Sequence, residues 1–552
     1  MRSCTKRSSA EKSGAFTKRL AALCLAAFIA LSLLGCAKTE VPQQTAPIVL
    51  PTPTAAPLPA RGGSINLPMP TNADLKDPLK VNTEEMLNVF SLIYEGLLAV
   101  DQTSALTAGL AETWSSDETG RVWTLKLRNS ARWHDNNEKV TAADVKFTYD
   151  RLSSVASSYY AYHASKIESV EAVDEYTVRV TMKAAGMASL YALTVPILRE
   201  DYASAAMPVG TGPYKATFLS TGRLTLTANE SWWKQRPYID TVNFLARDNN
   251  ETALASFAAG QLDMVPTSAV TAGKYREEGI TTVYDILTQN AEFLLLNSAN
   301  TALRDVNVRM ALACGIDRGK IITNVYMNRA QACDVPVAPD SWLYDPASKV
   351  YDYDPASALA LLKEAGYEDI DGDGFLEFVG ASDSELTFTL LVSDSADNLR
   401  EDAANAVAAQ LLELGIQTEV VAAPYSLTDA DSDFSKKLKA GEFDLALCGF
   451  NLGRDGLVSS FVDAGGANNY GKYASAELSS LAAAVAAAPD EAAYRAAASA
   501  FEMQFVKELP FLTLYFRLNS IVYDSAIRGV TGAREPDTLR TADKWYLFTE
   551  EG

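Results

Sequence analysis

Only two histidines, His134 and His163, stand in 552 residues, and neither lies in a pattern that would make it a catalytic base or a metal ligand. No G-x-S-x-G, H-E-x-x-H or G-x-x-x-x-G-K-[ST] occurs, so serine-hydrolase, zinc-protease and phosphate-loop chemistry have no local signature. A carboxylate pair of the glycosidase kind is hidden among 69 Asp and Glu residues, which leaves an exported hydrolase as a remote alternative and no enzyme as the expectation. Asp369-Ile370-Asp371-Gly372-Asp373-Gly374 copies positions 1, 3, 5 and 6 of a calcium loop. Its twelfth position falls on Gly380 rather than on the bidentate Glu such a loop uses, so a solvated acidic turn is expected, with structural calcium as the alternative. No cofactor and no resident metal is expected.

Of the six cysteines, Cys36 has the most telling context. Leu20–Gly35 is uncharged and follows Arg2, Lys6, Arg7, Lys12, Lys18 and Arg19. A basic start, a short apolar core and small residues at its end describe an export signal, whereas a spanning helix needs roughly 20 apolar residues. Leu33-Leu34-Gly35-Cys36 is similar to the bacterial lipobox, which implies cleavage before Cys36 and lipidation of its sulfur. The mature chain is then expected to be anchored at the outer face of the cell membrane, in the periplasmic space where there is one; an uncleaved anchor helix is the alternative. Cys314 and Cys333 are read either as a bridge or as buried thiols, and Cys448 as a free thiol.

Residues 36–60 hold Pro42, Pro47, Pro51, Pro53, Pro57 and Pro59 but no aromatic side chain. Such a segment has nothing with which to build a core and is expected to stay extended as a linker. The remaining body, 61–552, is long enough for two or three domains. The formal net charge is −21, and residues 1–35 carry more basic than acidic groups, so the body is more acidic still. That balance argues against nucleic acid and anionic head groups as partners.

The body gives clear local signals. In Val122–Leu127, Trp123, Leu125 and Leu127 alternate with polar residues, as in a strand with one buried face. Asp135-Asn136-Asn137-Glu138 supplies a turn, and Thr141 with Asp144 three residues later predicts a capped helix over 142–152. Asp354-Pro355 predicts another helix start, and Gly366 its stop.

These segments resemble the family-5 solute-binding proteins of ABC transporters, which include oligopeptide, dipeptide and nickel receptors. Leu127-Arg128, Trp133-His134-Asp135 and Thr141-Ala142-Ala143-Asp144-Val145 match the family's signature stretch. The likeness continues in the family's order. LTAGLAETW at 106–114 and VGTGPY at 209–214 are followed by Asn229-Glu230-Ser231-Trp232-Trp233 and by FAAGQLDMV at 257–265. Further on come Val308–Leu312, Ile316-Asp317-Arg318 and Tyr353–Tyr367.

The resemblance implies an α/β, two-lobed periplasmic-binding-protein-like fold of type II with an extra inserted domain and a hinge between the lobes. The expected division is 1–35 signal peptide, 36–60 linker, 61–98, 205–290 and 520–552 first lobe, 99–204 inserted domain, and 291–519 second lobe. The implied role is an extracellular, lipid-anchored, monomeric receptor that captures a small solute in the interlobe cleft and hands it to the transmembrane permease of an ABC importer. A di- or oligopeptide is the leading ligand, with an oligosaccharide or a nickel or other metal chelate as alternatives. In peptide-binding relatives the segment after the second lobe's "FD-apolar-G-W" run carries an Asp that pairs with the peptide amine. Here that segment is Phe443–Val462, with Phe450 in place of Trp, no proline, and Gly453-Arg454-Asp455-Gly456 where relatives often have an Asp-aromatic pair. The candidate ligand-binding residues are therefore Phe450, Asn451, Arg454, Asp455, Asn469 and Tyr470. Asp455 is the candidate amine-pairing carboxylate, unless Asp455-Gly456 is only a turn. Scarce histidine argues against a metal chelate, and at least four of the seven tryptophans fall at scaffold positions.

Overall fold

A computed structural model describes residues 59–155, 158–202, 207–380, 384–394, 399–426, 429 and 431–548. The export signal, Cys36 and nearly all of the Pro-rich linker lie outside the described residues. Among the described residues no helix is long and apolar enough to cross a membrane.

Two unusually long strands, Thr281–Leu296 and Phe511–Asp524, pair antiparallel from Thr281 opposite Asp524 to Leu295 opposite Phe511. They form the spine of a seven-stranded sheet ordered Met264–Thr267, Phe511–Asp524, Thr281–Leu296, Leu445–Asn451, Thr387–Asp394 and Gln417–Pro424, with Ala330–Ala332 added against Phe511–Asp524. Both long strands are buried without interruption over 291–296 and 511–516, where both faces are covered. Phe293, Phe461, Phe505 and Phe511 belong to one core, while Leu294, Leu312, Leu390 and Tyr515 belong to another. Adjacent Phe293 and Leu294 thus serve opposite faces, as the two-residue period of a strand requires. Thr387–Asp394 runs parallel to Gln417–Pro424, and the helix Leu399–Glu413 between them makes the crossover such a pair needs, burying Ala403, Ala404, Val407 and Leu411.

The register of the spine shifts twice, between Leu287 and Ala291 and again between Glu292 and Phe293. Thr288, Gln289 and Asn290 bulge at the first, held by a bond from Thr288 Oγ1 to the Arg517 carbonyl at 2.9 Å and from the Asn290 amide to Thr288 Oγ1 at 2.9 Å. A bulge turns a strand and re-aims a side chain, and here it directs Gln289 to the cavity described below.

A four-stranded sheet of Ser64–Pro70, Thr241–Arg247, Arg223–Ala228 and Tyr214–Ser220 shares a core with a second one, Ala111–Ser116, Val122–Leu127, Thr177–Met182 and Ile167–Asp174. Local reading of the sequence succeeds in this part of the chain. Trp123, Leu125 and Leu127 are buried and Lys126 is exposed; the helix runs Ala142–Leu152 with a capping box in which Asp144 accepts from the Thr141 amide at 2.8 Å. The Trp133-His134-Asp135 turn is scaffold. His134 Nδ1 accepts from the Gly210 amide at 3.3 Å, so its proton sits on Nε2, which donates to the Gly212 carbonyl at 3.0 Å. In the spine-bearing half, Asp354 caps the helix Pro355–Glu364 through the Ala356 and Ser357 amides. Gly366 follows it with φ +90°, a left-handed position that suits glycine. Cys314, Cys333 and Cys448 are free thiols.

Contacts close the structure between residues 99–204 and 291–519. A Cβ on Gly186 would lie 2.1 Å from the Ala486 carbonyl oxygen, and the next amide, Met187, donates to the Ala488 carbonyl at 2.8 Å. Trp342 donates its amide to the Thr103 carbonyl at 2.8 Å and its indole to Tyr191 Oη at 3.1 Å. Tyr191 in turn donates to the Ser104 carbonyl at 2.6 Å.

One buried ion pair braces the sheet. Arg400 meets Glu292 in a fork, Nε to Oε2 at 2.8 Å and Nη2 to Oε1 at 2.9 Å. Removing one member strands the other, so Arg400→Met should cost about 3–5 kcal/mol in urea unfolding, while adding Glu292→Met should recover most of it. Equal loss in the single and double variants would contradict this. Burial also pushes His134 and His163 down to about 4, from about 6.5 in the unfolded chain. Between those values the unfolded state binds more protons, so stability is full above pH 6.5 and falls as pH drops toward 4. Urea midpoints measured from pH 7 to pH 5 should fall less steeply for His134→Gln than for the wild type; parallel curves would sink the assignment.

Candidate ligand-binding cavity

The seven-stranded sheet reaches, through Gln289, Phe450 and Asn451, a cavity of about 500 Å³, a volume suited to enclosing a small organic ligand. The helix Glu84–Ser91, started by Thr83 Oγ1 accepting from the Met86 amide at 3.4 Å, contributes Glu84, Leu87, Phe90 and Ser91 to its wall. Residues 159–163 contribute Tyr159, Tyr160, Tyr162 and His163. Tyr159 and Tyr160 stack edge-on at 5.4 Å, as do Tyr162 and His163 at 5.9 Å, so the aromatic wall holds its own shape. Tyr159 and Tyr162 keep 42% and 49% of their surface accessible, and both line the cavity. The bulge adds Gln289, whose Nε2 is buried without a hydrogen-bond partner.

Trp232 and Lys234 form another part of the wall. Behind them Glu95 accepts from Trp232 Nε1 at 3.2 Å, from Trp233 Nε1 at 3.0 Å and from Thr211 Oγ1 at 3.0 Å. Burial raises the proton affinity of Glu95, opposed first by Lys234 and then by these donors.

The loop after Leu445–Asn451 places Asp455 in the wall with 4% of its surface exposed. Its Oδ2 accepts from Tyr162 Oη at 3.1 Å and its Oδ1 from the Leu457 amide at 3.2 Å. Tyr494 Oη donates to its backbone carbonyl. Among the described residues no Lys or Arg makes a salt bridge with it. Burial raises its proton affinity, and the Leu457 amide, Lys166 and the Tyr162 hydroxyl work the other way. The carboxylate folds back over Gly453: a Cβ at that position would stand 2.4 Å from Asp455 Oδ1. Glycine at 453 is therefore what leaves room for the acid.

Arg454 also lines the cavity, already paired with another wall residue, Asp537. Its Nη1 meets Asp537 Oδ2 at 3.2 Å and its Nη2 donates to the Glu535 carbonyl at 2.6 Å, tying the loop to the C-terminal segment. Burial works against the guanidinium charge, and Asp537 together with the Tyr159 and Tyr191 phenols more than offsets that.

Phe450 lines the cavity while packing against Phe461 at 4.9 Å and Phe293 at 5.4 Å. Asn451 lines it too and donates to Asn290 Oδ1 at 3.0 Å. Asn469 and Tyr470 are not brought to the wall. Asn469 Nδ2 donates to the Asp463 carbonyl at 2.9 Å and the Tyr473 carbonyl at 2.7 Å, so it organises a loop, and Tyr470 packs against the core. The neighbouring Asn468 lines the cavity instead.

Sequence reading missed Glu84, the Tyr159–His163 wall, Gln289 and Glu535. The run Tyr159-Tyr160-Ala161-Tyr162-His163 did carry a signal: four rings in five residues without a helical or strand period. It places a neutral imidazole in the cavity, although histidine scarcity had argued against any such ligand. The Asp369 loop lies apart from the cavity wall. Its three aspartates and Glu377 bring carboxylate oxygens within 4.8 Å of one another, and its acids are also spent on turn amides, such as Gly372 N to Asp369 Oδ1 at 2.7 Å.

Comparison with known proteins agrees with this architecture. The sequence profile of the bacterial extracellular solute-binding proteins, family 5, middle region, matches residues 105–469. The oligopeptide-binding protein AppA of Bacillus subtilis is 26% identical over 518 residues, covering 89% of this chain and 92% of its own. The dipeptide-binding protein of Escherichia coli is 26% identical over 381 residues, covering 63% and 68%. Among solved structures, HbpA2 of Haemophilus parasuis superposes with a TM-score of 0.75 at 22% identity, covering 88% of this chain and all of that one. A profile that matches well over half of the chain makes this protein a member of the bacterial extracellular solute-binding proteins of family 5.

Proposed function

We propose that this protein is the lipid-anchored receptor of an ABC importer, and that it encloses a small peptide in the cavity and delivers it to the membrane permease. The observation that carries the reading is Asp455: a buried carboxylate in the cavity wall whose partners are a phenol and an amide, neither of which neutralises it. An ammonium group would both hydrogen-bond to it and compensate its charge. The named binding of peptides by the two curated relatives supports the same reading. Chain passage between lobes is assigned to 290/291 and 519/520, beside the bulge in the spine. Closure follows from ligand contacts on both sides of the cavity, which favour the closed form by differential affinity.

A metal chelate is the second reading, favoured by His163, since a neutral imidazole is the form that ligates a metal. An oligosaccharide is the third, resting on the rings of Trp232 and the tyrosine wall.

Thermal melting of ligand-stripped protein against di- to hexapeptides, oligosaccharides, and nickel with and without histidine separates the three. A peptide at 100 times its Kd should add about 2.7 kcal/mol of stability. Asp455→Asn, which keeps the shape and removes the charge, should weaken that peptide by at least about thirtyfold. Unchanged affinity in the variant, or a response confined to sugar or nickel, would overturn the peptide assignment. The anchor is tested separately: cells fed labelled palmitate should mark the wild type and not Cys36→Ala, and label surviving that substitution would remove the lipoprotein reading.

A further inference from the structure

Asp455 is not the only acid in the wall without a counter-ion. Glu535 comes from the C-terminal segment and Glu84 from the first turn of the helix Glu84–Ser91, and both line the cavity. Glu535 is 7% exposed. Its Oε1 accepts from Asn519 Nδ2, while its Oε2 is buried without any hydrogen-bond partner. Neither Glu84 nor Glu535 makes a salt bridge among the described residues.

The nearby cations are committed elsewhere. Arg454 is engaged by Asp537 and by the Glu535 backbone carbonyl, not by the Glu535 carboxylate. Arg517 lies over the Tyr326 ring at 5.6 Å. Both exert only a through-space pull on Glu535. Burial, and then the negative charge of Glu84, push Glu535 up to about 8. Glu84 is likewise raised, by burial first and then by Glu85. A buried carboxylate with an unused oxygen and a second carboxylate near it is costly to keep, and a ligand cation relieves both costs together. Tyr159 stands in the field of Glu84, so an aromatic face is at hand for an alkyl chain or a guanidinium plane.

We propose that Glu84 and Glu535 form a cation-selective subsite, separate from Asp455, that receives the positively charged side chain of a lysine- or arginine-containing peptide. This rests on the peptide reading above and narrows it. The receptor then recognises its ligand at two positive charges: the amine at Asp455 and the side chain at Glu84 and Glu535.

Titration calorimetry on the detergent-solubilised mature protein tests this with tripeptides of alanine in which one position holds lysine, arginine, norleucine or glutamate. Norleucine keeps the alkyl chain and lacks the charge. For at least one position the lysine peptide should bind about tenfold or more tightly than its norleucine counterpart, and the glutamate peptide more weakly than either. In Glu535→Gln and in Glu84→Gln that lysine preference should fall to about one, while Glu413→Gln, on an exposed helix face, should retain it; Glu535→Asp should keep part of it. Equal binding of lysine and norleucine peptides by the wild type would overturn the subsite and leave the peptide receptor standing. Failure of every peptide to bind would overturn both. Calcium or magnesium binding without peptide, lost in the same two variants, would replace the organic cation with a metal and so overturn the subsite as stated.

Discussion

The antiparallel pairing of Thr281–Leu296 with Phe511–Asp524 is the constraint on which the rest depends. Both strands run the length of the seven-stranded sheet and share one hydrogen-bonded ladder, interrupted only where its register shifts. Their side chains supply both faces of the largest sheet, Phe293 to one core and Leu294 to the other. Where the ladder breaks at Leu287–Ala291, the chain gains a place to bend and Gln289 gains access to the cavity. Outside the spine, the closing contacts are local: the Gly186 approach to Ala486, the Trp342–Tyr191–Ser104 chain and the Arg454–Asp537 pair. Such contacts can separate without breaking a sheet, which is what a receptor that opens and closes requires.

The cavity formed on this frame is electrostatically uneven. Glu95 is satisfied by two indoles and a hydroxyl, and Asp537 by Arg454. Asp455, Glu84 and Glu535 have no comparable cation, although all three line the same space. Burial raises all three, Glu535 to about 8, so the cavity by itself favours their protonated forms and a ligand cation favours their charged ones. The overall acidity of the chain is a separate matter of surface and solubility and says little about this site.

The local elements were legible because their causes are local. Alternation in Val122–Leu127, the Thr141–Asp144 box and the Asp354-Pro355 start are each written within a few residues. The fold was legible because such segments recur along the chain in the family's order. The cavity was only half legible. Asp455 was found through the segment that precedes it, but the same likeness brought in Asn469 and Tyr470, one a loop organiser and the other packed on the core. Glu84 and Glu535 are 451 positions apart in sequence, and Gln289 reaches the wall only because the spine bulges. No periodicity in a sequence reports a charge that tertiary folding leaves without a partner.

The central claim is that this cavity is shaped for a peptide, and the cargo the protein carries from the cell tests it most directly. Native mass spectrometry of protein purified from its own host without unfolding, followed by fragmentation of whatever denaturation releases, would identify that cargo. The account predicts short peptides at one per chain. A released sugar, haem or metal chelate in that stoichiometry would contradict it.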